Sequence, residues 1–494
     1  MSSCVVIRAD GNSRIGTGHI MRCIALGQGL RRSGSEVVFT SAEVSSALEQ
    51  RLHESDFALE KLNVSTIGSS DDAERTIQLA RELHSEWIVA DGYSFSANYQ
   101  RRIKQAGSRL LLLDDYGHAD HYFADLILNQ NLHANAALYA NREKGSVLLL
   151  GTRYALLRRE FLISKFGNRE ITPTARKILV TLGGSDLENI SSKVIKALKQ
   201  FPQIEARIIV GGTNPHVDSL RSLVSDCPSL QMVVDTRNMQ ELMAWADLAI
   251  AAAGTTMWEM AFMGLPALML VLADNQRSVA EALTAAQVAR QSTITSLVTD
   301  LHALLPDFAM RKTMSERAMQ LVDGLGVSRV VSHFRASQLR LRPVRTDDCR
   351  QIWEWANDPE ARAASVAEKE IPWASHIQWF SSRVNSPTCL FYVAQNSDED
   401  PIGQIRFEIS GAEAVLSVSL VKAARGHGHG SALIVRGSQR CFAESRVNLI
   451  RAFVKPANET SIRAFERTDF IPWDSVELHG QRMRQFILKR EANS

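Results

Sequence analysis

Val5-Val6-Ile7-Arg8-Ala9-Asp10-Gly11-Asn12-Ser13-Arg14-Ile15-Gly16-Thr17-Gly18-His19 has the pattern of a strand followed by a glycine-spaced loop, and a helical pattern from Ile20 to Leu30 follows at once. In an open α/β sheet the ligand crevice lies beyond the carboxyl ends of the strands, where glycines let backbone amides approach a phosphate. We therefore predict that His19 faces such a crevice. A lone histidine at a helix start can equally be a capping or packing residue.

Composition bounds the class of protein. The chain has 494 residues, enough for about three domains, and a formal charge of +2, which gives no nucleic-acid footprint. No apolar run approaches the roughly 18 residues that a membrane helix needs, and no secretory signal is visible. The six cysteines are widely spaced, which favours reduced thiols over disulfides or a zinc site. We expect a cytoplasmic protein with neither nucleic acid nor membrane as a partner.

The first two thirds of the chain alternate short apolar runs with helical patterns, which predicts parallel, doubly wound sheets. The first series of predicted strands is Cys4 to Ala9, Glu36 to Thr40, Trp87 to Ala90, Arg109 to Leu113, Leu126 to Asn129 and Val147 to Leu150. The second is Lys177 to Leu182, Ala206 to Val210, Leu230 to Val234, Leu248 to Ala252 and Ala267 to Leu272. We predict Rossmann-like domains at 1–168 and 175–335, facing a cleft, and a third domain at 340–494.

The second series carries its own phosphate-binding patterns. Gly183-Gly184-Ser185-Asp186 and Ala253-Gly254-Thr255-Thr256 each follow a strand and precede a helix, so both would offer free amides to an anion. Glu259 lies one turn into the helix after the second loop, where its carboxylate could reach a ribose diol. Alternatively, the glycines only make a tight turn and Glu259 only caps its helix.

These motifs carry a resemblance to a known family. Together with Gly264-Leu265-Pro266 and Asp274-Asn275-Gln276, the second series resembles the nucleotide-sugar half of a GT-B fold of the peptidoglycan N-acetylglucosaminyltransferase type. The N-terminal loop, Leu128 to Asn131 and Tyr154 to Phe161 make the chain similar to the pseudaminic-acid pathway hydrolases, which remove UDP from UDP-2,4-diacetamido-2,4,6-trideoxy-β-L-altropyranose. The resemblance implies that His19 is catalytic and that the second half binds UDP. Where it leads us to expect Asp-His-Tyr, this chain has Asp91-Gly92-Tyr93.

Hydrolysis of a sugar nucleotide needs a group that accepts a proton from water and positive potential around the departing diphosphate. We predict His19 as the base with Asp10 as its orienting carboxylate. The predicted substrate-binding residues are Arg14, Gly16, Gly18, Tyr93, Asn131, Gly183, Gly184, Ser185, Gly254, Thr255, Thr256, Glu259, Asn275 and Gln276. Asp114-Asp115 and His118 to His121 contain metal-ligand types, but a turn with surface histidines is the preferred interpretation, and we expect no metal.

The last third has a different signature. Arg425-Gly426-His427-Gly428-His429-Gly430, between a predicted strand Val415 to Val421 and a helix from Ser431, resembles the R-x-x-G-x-G loop of GNAT acetyltransferases. Successive amides at a helix start form a nest that can hold the pyrophosphate of acetyl-CoA, so we predict these six residues and Asn458 as cofactor-binding. The alternative is a simple glycine-rich turn. The region from Ile352 to Pro359 looks like the sugar-amine acetyltransferase of the same pathway.

One departure concerns Phe465, which stands where GNAT enzymes commonly have a tyrosine that protonates the leaving thiolate. A phenyl ring cannot donate a proton, so another donor or water serves, or the domain is slow or binds without turnover. Trp353, Trp355 and Trp373 could line a sugar pocket or belong to the core.

The sequence thus predicts a GT-B-like pair of Rossmann-like domains followed by an α+β GNAT domain. The predicted function is bifunctional: acetyl-CoA acylates a UDP-4-amino sugar, and the N-terminal pair then hydrolyses the product. Expected partners are the small-molecule UDP-sugar and acetyl-CoA, with other enzymes of the pathway as candidates. Two alternatives stay open: a GT-B glycosyltransferase, and a non-catalytic nucleotide-sugar sensor with a degenerate acyl-CoA domain.

Overall fold

A computed structural model describes residues 4–163, 169–184, 186–212, 214–365, 368–478 and 480–490. The chain divides into two compact units, Met1–Val327 and Ser328–Ser494. The division falls inside one helix, eight residues before the predicted end of the second domain at 335, because the last turns of that helix pack with the second unit. Over the described ranges, no helix combines the length and apolar character that crossing a bilayer would require.

The first unit begins with a seven-stranded parallel sheet in the order β3-β2-β1-β4-β5-β6-β7. Its strands are β1 (Cys4–Ala9), β2 (Glu36–Ser41), β3 (Ala58–Lys61), β4 (Trp87–Asp91), β5 (Arg109–Leu113), β6 (Leu126–Asn129) and β7 (Val147–Leu150). The helices are α1 (Gly18–Arg32), α2 (Ser46–Glu54), α3 (Ser70–Glu82), α4 (Ala97–Gln105) and α5 (Arg159–Ile163). The apolar central strands β1, β4 and β5 are fully buried or nearly so, as expected of a sheet covered on both faces.

A second parallel sheet of six strands completes the first unit, in the order β10-β9-β8-β11-β12-β13. Its strands are β8 (Lys177–Thr181), β9 (Glu205–Val210), β10 (Leu230–Val234), β11 (Leu248–Ala252), β12 (Ala267–Leu270) and β13 (Arg290–Ser292). Its helices are α6 (Ile190–Leu198), α7 (Val217–Val224), α8 (Met239–Trp245), α9 (Thr256–Phe262), α10 (Arg277–Ala285), α11 (Leu297–Leu304) and α12 (Phe308–Leu321). Two hydrophobic clusters, one on each face, pack these helices onto the sheet.

The second unit is built on a mixed seven-stranded sheet, β14-β15-β16-β17-β18-β20-β19. Its strands are β14 (Arg340–Pro343), β15 (Cys389–Gln395), β16 (Pro401–Ser410), β17 (Glu413–Leu420), β18 (Leu449–Val454), β19 (Ile471–Leu478) and β20 (Gln481–Lys489). The helices are α13 (Gly326–Gln338), which spans the division, α14 (Cys349–Ala356), α15 (Pro359–Ala364), α16 (Trp373–Val384), α17 (His429–Glu444) and α18 (Glu459–Glu466). Short 3-10 turns lie at Ala136–Tyr139, Thr152–Tyr154, Asp274–Gln276, Thr346–Asp348 and Lys422–Ala424.

The two central parallel strands of this third sheet, β17 and β18, pair over only part of their length. β17 and β18 are parallel neighbours, but they pair only from Glu413 to Val415 against Leu449 to Arg451. Beyond these residues β17 stays with β16 and β18 stays with β20, so the two strands separate toward their carboxyl ends. This leaves an opening in the sheet beside the start of α17.

The predicted fold class is confirmed: two parallel α/β sheets are followed by an α+β domain. Every strand predicted from an apolar run is present, with ends displaced by at most a few residues. The strands that were not predicted include β3, which is mostly exposed at the sheet edge, and the three-residue β13. Neither contains an apolar run. All six cysteines are free thiols.

Candidate active sites

A cavity of about 440 Å³ lies between the two sheets of the first unit, at the carboxyl ends of their strands. Loops from both halves line it. Of the predicted site residues, those on the cavity wall are Arg14, Gly16, Gly18, His19, Tyr93, Asn131, Gly183, Gly184, Gly254, Thr255, Thr256, Asn275 and Gln276. Ser185 lies outside the described residues. The structure thus brings together residues that are more than 250 positions apart in the chain.

His19 lies in the first turn of α1, and one of its ring nitrogens is hydrogen-bonded to a buried carboxylate. Its Nδ1 lies 2.7 Å from Oδ1 of Asp91, the last residue of β4, and the Asp91 side chain is fully buried. Burial raises the pKa of Asp91, but Arg22 lowers it more, so this carboxyl stays below its ordinary pKa. An ionised carboxylate only accepts hydrogen bonds, so Nδ1 donates and Nε2 keeps a lone pair. The ring is therefore set up to accept a proton at Nε2.

Arg22, one turn after His19, joins this pair to a second carboxylate. Its Nε and one terminal nitrogen donate to Asp91 at 2.7 and 2.6 Å, and its other terminal nitrogen donates to Asp115 at 2.7 Å. Asp115 is partly buried, which raises its pKa, but Arg22 keeps it ionised, with its pKa well below the usual range. Sequence reasoning missed Arg22 and Asp91. Their signal is positional: the carboxyl ends of the adjacent strands β1 and β4 meet at one edge of the sheet.

Tyr93 crosses the cavity between the halves. Its hydroxyl donates to Asp115 at 2.7 Å and accepts from Asn275 of the second half at 3.1 Å, and its ring meets His19 edge to face. Asn131 donates to the same Asp115 at 2.8 Å. Gly92 has φ of +154° and lies against the ring of Phe95, so a side chain at position 92 would be strained and crowded. The local backbone accounts for glycine where the resemblance led us to expect histidine.

Asp10 is not the carboxylate beside His19, and this prediction is wrong. Its Oδ2 accepts from Arg8 at 2.7 Å, and its Oδ1 accepts from Ser41 and from the amides of Ala42 and Glu43. With both oxygens occupied, Asp10 ties β1 to the loop after β2. Its proximity to His19 in sequence did not carry over into space, because the intervening loop turns at Gly16.

The Gly183-Gly184 loop differs from its prediction in one respect. The amides of Ile190 and Ser191 at the start of α6 donate to the carboxylate of Asp186, at 2.7 and 2.8 Å. These amides are therefore already satisfied within the protein and are not offered to a ligand. Gly184 has a separate reason to be glycine: a Cβ there would lie 2.4 Å from Cγ2 of Thr17 in the other half. The close approach of the two halves requires it.

Glu259 is not among the residues that line the cavity. Its carboxylate accepts from Nε of Arg158 at 2.9 Å, and Arg158 also pairs with Glu160. Gly254, by contrast, has open space around its Cα. The loop Ala252 to Thr256 thus faces the cavity while the acidic residue that follows it is held by an ion pair.

The aspartates and histidines considered as metal ligands hydrogen-bond to one another and to their surroundings. Asp114 accepts from the amides of Tyr116 and Gly117 and from the Tyr122 hydroxyl, and its Oδ2 lies 3.1 Å from Nδ1 of His118. Burial raises the pKa of Asp114, but these hydrogen bonds lower it more, to about 2. Throughout the ranges that the structure describes, no three His, Cys, Asp or Glu side chains are arranged to hold a metal ion.

In the second unit the predicted cofactor loop lies at the opening between β17 and β18. Gly426 and Gly428 have φ of +80° and +79°, a conformation that side chains disfavour. Arg425 donates to Asp358 and to Glu360 at 2.7 Å each, which fastens the loop to α15. His427 is exposed, and α17 begins at His429, so the amides of the loop lead into a 16-residue helix. This is the geometry of an anion-binding nest.

The other predicted residues of this domain have structural roles. Asn458 caps α18 by accepting from the amide of Ser461 at 3.0 Å. Phe465 is buried in the core, stacked on Phe486 at 5.2 Å between ring centroids. Trp353 donates to the carbonyl of Ile371 and is packed edge to face with the half-exposed Trp373.

Comparison with known proteins gives the same two-part picture. Residues 177–325 match the model of the "Glycosyltransferase family 28 C-terminal domain". Residues 338–471 match the model of the "Acetyltransferase (GNAT) domain".

Two relatives and one solved structure are similar to parts of this chain. The UDP-2,4-diacetamido-2,4,6-trideoxy-beta-L-altropyranose hydrolase of Campylobacter jejuni is 26% identical over 278 residues, which cover 56% of this chain and 94% of that protein. The pseudaminic acid cytidylyltransferase and UDP-2,4-diacetamido-2,4,6-trideoxy-beta-L-altropyranose hydrolase of Helicobacter pylori is 23% identical, over 44% of this chain and 40% of its own length. A Vibrio cholerae spermidine N-acetyltransferase, solved with CoA and spermine, covers 31% of this chain and 96% of its own, with 18% identity and a TM-score of 0.29.

The resemblance seen in the sequence is confirmed. The comparisons support an enzyme that joins a UDP-sugar hydrolase to a GNAT acetyltransferase domain, and the GNAT domain supports the use of an acyl-CoA. The hydrolase relative aligns over 56% of the chain, whereas the GNAT match occupies residues 338–471.

Proposed function

We propose a bifunctional cytoplasmic enzyme of pseudaminic-acid-type nonulosonate biosynthesis. Its GNAT domain N-acetylates a UDP-4-amino sugar with acetyl-CoA, and its first unit hydrolyses UDP from the resulting UDP-2,4-diacetamido-2,4,6-trideoxyhexose. The observation that carries the proposal is His19 on the cavity wall with Nδ1 held by Asp91 at 2.7 Å. This arrangement leaves Nε2 available as a general base for water.

In the hydrolytic step, Nε2 of His19 accepts a proton from a water molecule as the water oxygen bonds to the anomeric carbon. The bond between the anomeric carbon and the diphosphate oxygen breaks, and its electron pair leaves with UDP. Asp91 is buried and ionised, so it stabilises the imidazolium that forms and holds the ring orientation. Arg22 fixes Asp91 in place through two hydrogen bonds.

The opposite wall of the cavity supplies the site for the diphosphate. Gly183 and Gly184 lie in the loop after β8, and Gly254 to Thr256 lie in the loop after β11. Main-chain amides and the hydroxyls of Thr255 and Thr256 therefore face the cavity. Gly16 and Gly18 bring the backbone of the first half close to this wall, since Gly18 lies beside Thr255. Tyr93, Asn131, Asn275 and Gln276 line the cavity beside the sugar, with the Tyr93 hydroxyl held by Asp115 and Asn275. Arg14, exposed at the rim, adds positive charge.

In the acetyl transfer step, the sugar amine attacks the thioester carbonyl, the carbon–sulfur bond breaks and CoA leaves as the thiol. The loop from Arg425 to Gly430 holds the diphosphate of acetyl-CoA through its amides. Phe465 donates no proton, so water or another donor protonates the thiolate. Because the product of this step is the substrate of the hydrolase, joining the two sites in one chain raises the local concentration of the intermediate.

The proposal is tested by mass spectrometry of the full chain with a UDP-4-amino sugar and acetyl-CoA. We expect a mass gain of one acetyl group, then release of UDP and free sugar with no acceptor present. His19→Gln should accumulate the acetylated UDP-sugar and release little UDP. The control is His121→Gln. His121 lies outside the cavity wall and pairs with Glu143, so this variant should release UDP as wild type does. Sugar transfer that needs an added acceptor, or undiminished UDP release by His19→Gln, would contradict the proposed hydrolysis.

A further inference from the structure

A second cavity of about 480 Å³ lies in the first unit, away from the candidate active site. The two cavities share no lining residue. α1 separates them: His19 is at its first turn, whereas Arg31 and Arg32 in its last turn line the second cavity. A 15-residue helix is about 22 Å long, so the second cavity is a distinct site.

The second cavity is rich in guanidinium groups. Its wall carries five arginines and three carboxylates, so positive charge is in excess. The arginines are Arg31, Arg32, Arg51, Arg159 and Arg237, and the carboxylates are those of Glu54, Asp56 and Glu160. Clustered guanidinium groups are typical of sites that recognise carboxylates and phosphates, because each can donate two parallel hydrogen bonds.

Arg51 shows that the positive charges are crowded. Burial lowers its pKa, and the neighbouring Arg158 lowers it further, while Glu160 at 2.9 Å only partly offsets these effects. Its Nε is buried and has no hydrogen-bond partner within the described part of the chain. An anion in this cavity would relieve the repulsion between these guanidinium groups.

The cavity also joins the two halves of the unit. Arg51 comes from α2 of the first half, and Arg237 comes from the loop before α8 of the second half. Arg237 pairs with Glu54 across this boundary. A ligand that met both arginines would therefore contact both halves.

We propose that this cavity binds a diphosphate group, either as free pyrophosphate or as part of a nucleotide, between Arg51 and Arg237. A group with two phosphoryl units fits better than a single small ion, because the cavity is large and its arginines come from four separate segments. The site is independent of the UDP and acetyl-CoA sites, so it does not rest on the proposed function.

The test is calorimetric titration of the full chain with sodium pyrophosphate. We expect binding that includes a site weakened about ten-fold in Arg237→Gln and in Arg51→Gln. Arg221→Gln is the matched control, since Arg221 is also an exposed arginine of the second half with a single ion-pair partner. It should bind pyrophosphate as wild type does.

A parallel titration with ADP identifies the source of the diphosphate: tighter binding than pyrophosphate indicates a nucleotide, and weaker binding indicates the free anion. UDP release without pyrophosphate should be unchanged in Arg237→Gln, which shows that this variant is folded. The proposal is overturned if pyrophosphate fails to bind. It is equally overturned if both arginine variants bind it as tightly as wild type.

Discussion

At the scale of single residues, the candidate hydrolytic site depends on charges that neutralise one another. Asp91 is a buried carboxylate and Asp115 a partly buried one, and the single guanidinium of Arg22 lies between them. Such a network orients His19 only while every member is present, because removing one leaves an uncompensated buried charge.

We expect Asp91→Asn to lower kcat for UDP release about 100-fold or more, with little change in KM. The amide can donate to Nδ1, which would place the ring proton on Nε2 and remove its lone pair. Single-turnover kinetics with the acetylated UDP-sugar measure the effect, and Asp120→Asn, at an exposed position of the same unit, is the control. A kcat equal to that of wild type would show that Asp91 does not orient the base.

Phe465 is a core residue of the second unit. It is 3% exposed and packs between Phe470 and Phe486. Phe465→Ala should therefore destabilise the second unit by about 3–5 kcal/mol, whereas Phe465→Leu should cost less than about 1.5 kcal/mol. Urea unfolding followed by tryptophan fluorescence reports this difference. Equal stability of the two variants would place the ring outside the core.

At the scale of elements, the contact between the loop before α1 and the loop after β8 sets the width of the cavity. A Cβ at position 184 would meet Cγ2 of Thr17 at 2.4 Å and its Oγ1 at 2.9 Å. The backbone at Gly184 is not in the left-handed region, so the obstacle to a side chain is this contact and not strain.

Gly184→Ala should therefore lower stability by about 1–3 kcal/mol and raise KM for the UDP-sugar. Adding Thr17→Ala removes both close atoms, so the double variant should recover most of the loss, and a double-mutant cycle measures the coupling. Gly145→Ala, which also meets open space and lies outside the cavity wall, is the steric control. Purely additive effects would rule out the contact as the cause.

The segment from Asp114 to Tyr122, after β5, depends on the charge of Asp114. The pKa of Asp114 is about 2 in the folded protein, against an ordinary value of 3.8, because hydrogen bonds outweigh burial. The unfolded state thus binds this proton more readily, so the stabilisation is present above about pH 4 and is lost as the pH falls toward 2. The difference corresponds to about 2 kcal/mol.

In Asp114→Asn this contribution is absent at every pH. We expect the variant to be less stable than wild type at pH 6, and the difference in unfolding free energy to narrow by about 1 kcal/mol at pH 3 and about 2 kcal/mol at pH 2, measured by urea unfolding. For the control Asp71→Asn, which removes an exposed helix carboxylate, the difference in stability from wild type should stay the same across this pH range. A constant gap from pH 6 to pH 2 would mean that Asp114 is not ionised in the folded state.

At the scale of the whole molecule, two activities are assigned to two compact units. We expect Arg425→Gln to raise KM for acetyl-CoA about ten-fold, because the guanidinium fastens the cofactor loop to α15. Its UDP release from a pre-acetylated sugar should match wild type. His19→Gln should show the converse pattern. If either variant impaired both reactions equally, the two sites would not be separate.

Much of this architecture follows from the sequence alone. The apolar runs located the central strands, because buried parallel strands need uninterrupted hydrophobic residues, and the glycine-spaced loops indicated both candidate ligand sites. The edge strand β3 escaped prediction, since its side chains are mostly exposed and leave no apolar pattern.

The partners of charged residues were decided only by the tertiary structure. Sequence proximity suggested Asp10 for His19, but the sheet order places β4 next to β1 and so brings Asp91 to the imidazole. The same holds for Glu259, held by Arg158, and for the arginines of the second cavity, which come from both halves. Periodicity reports which residues are buried, because burial follows the local repeat of a strand or helix. Which buried charge meets which depends on long-range packing, and no local pattern encodes it.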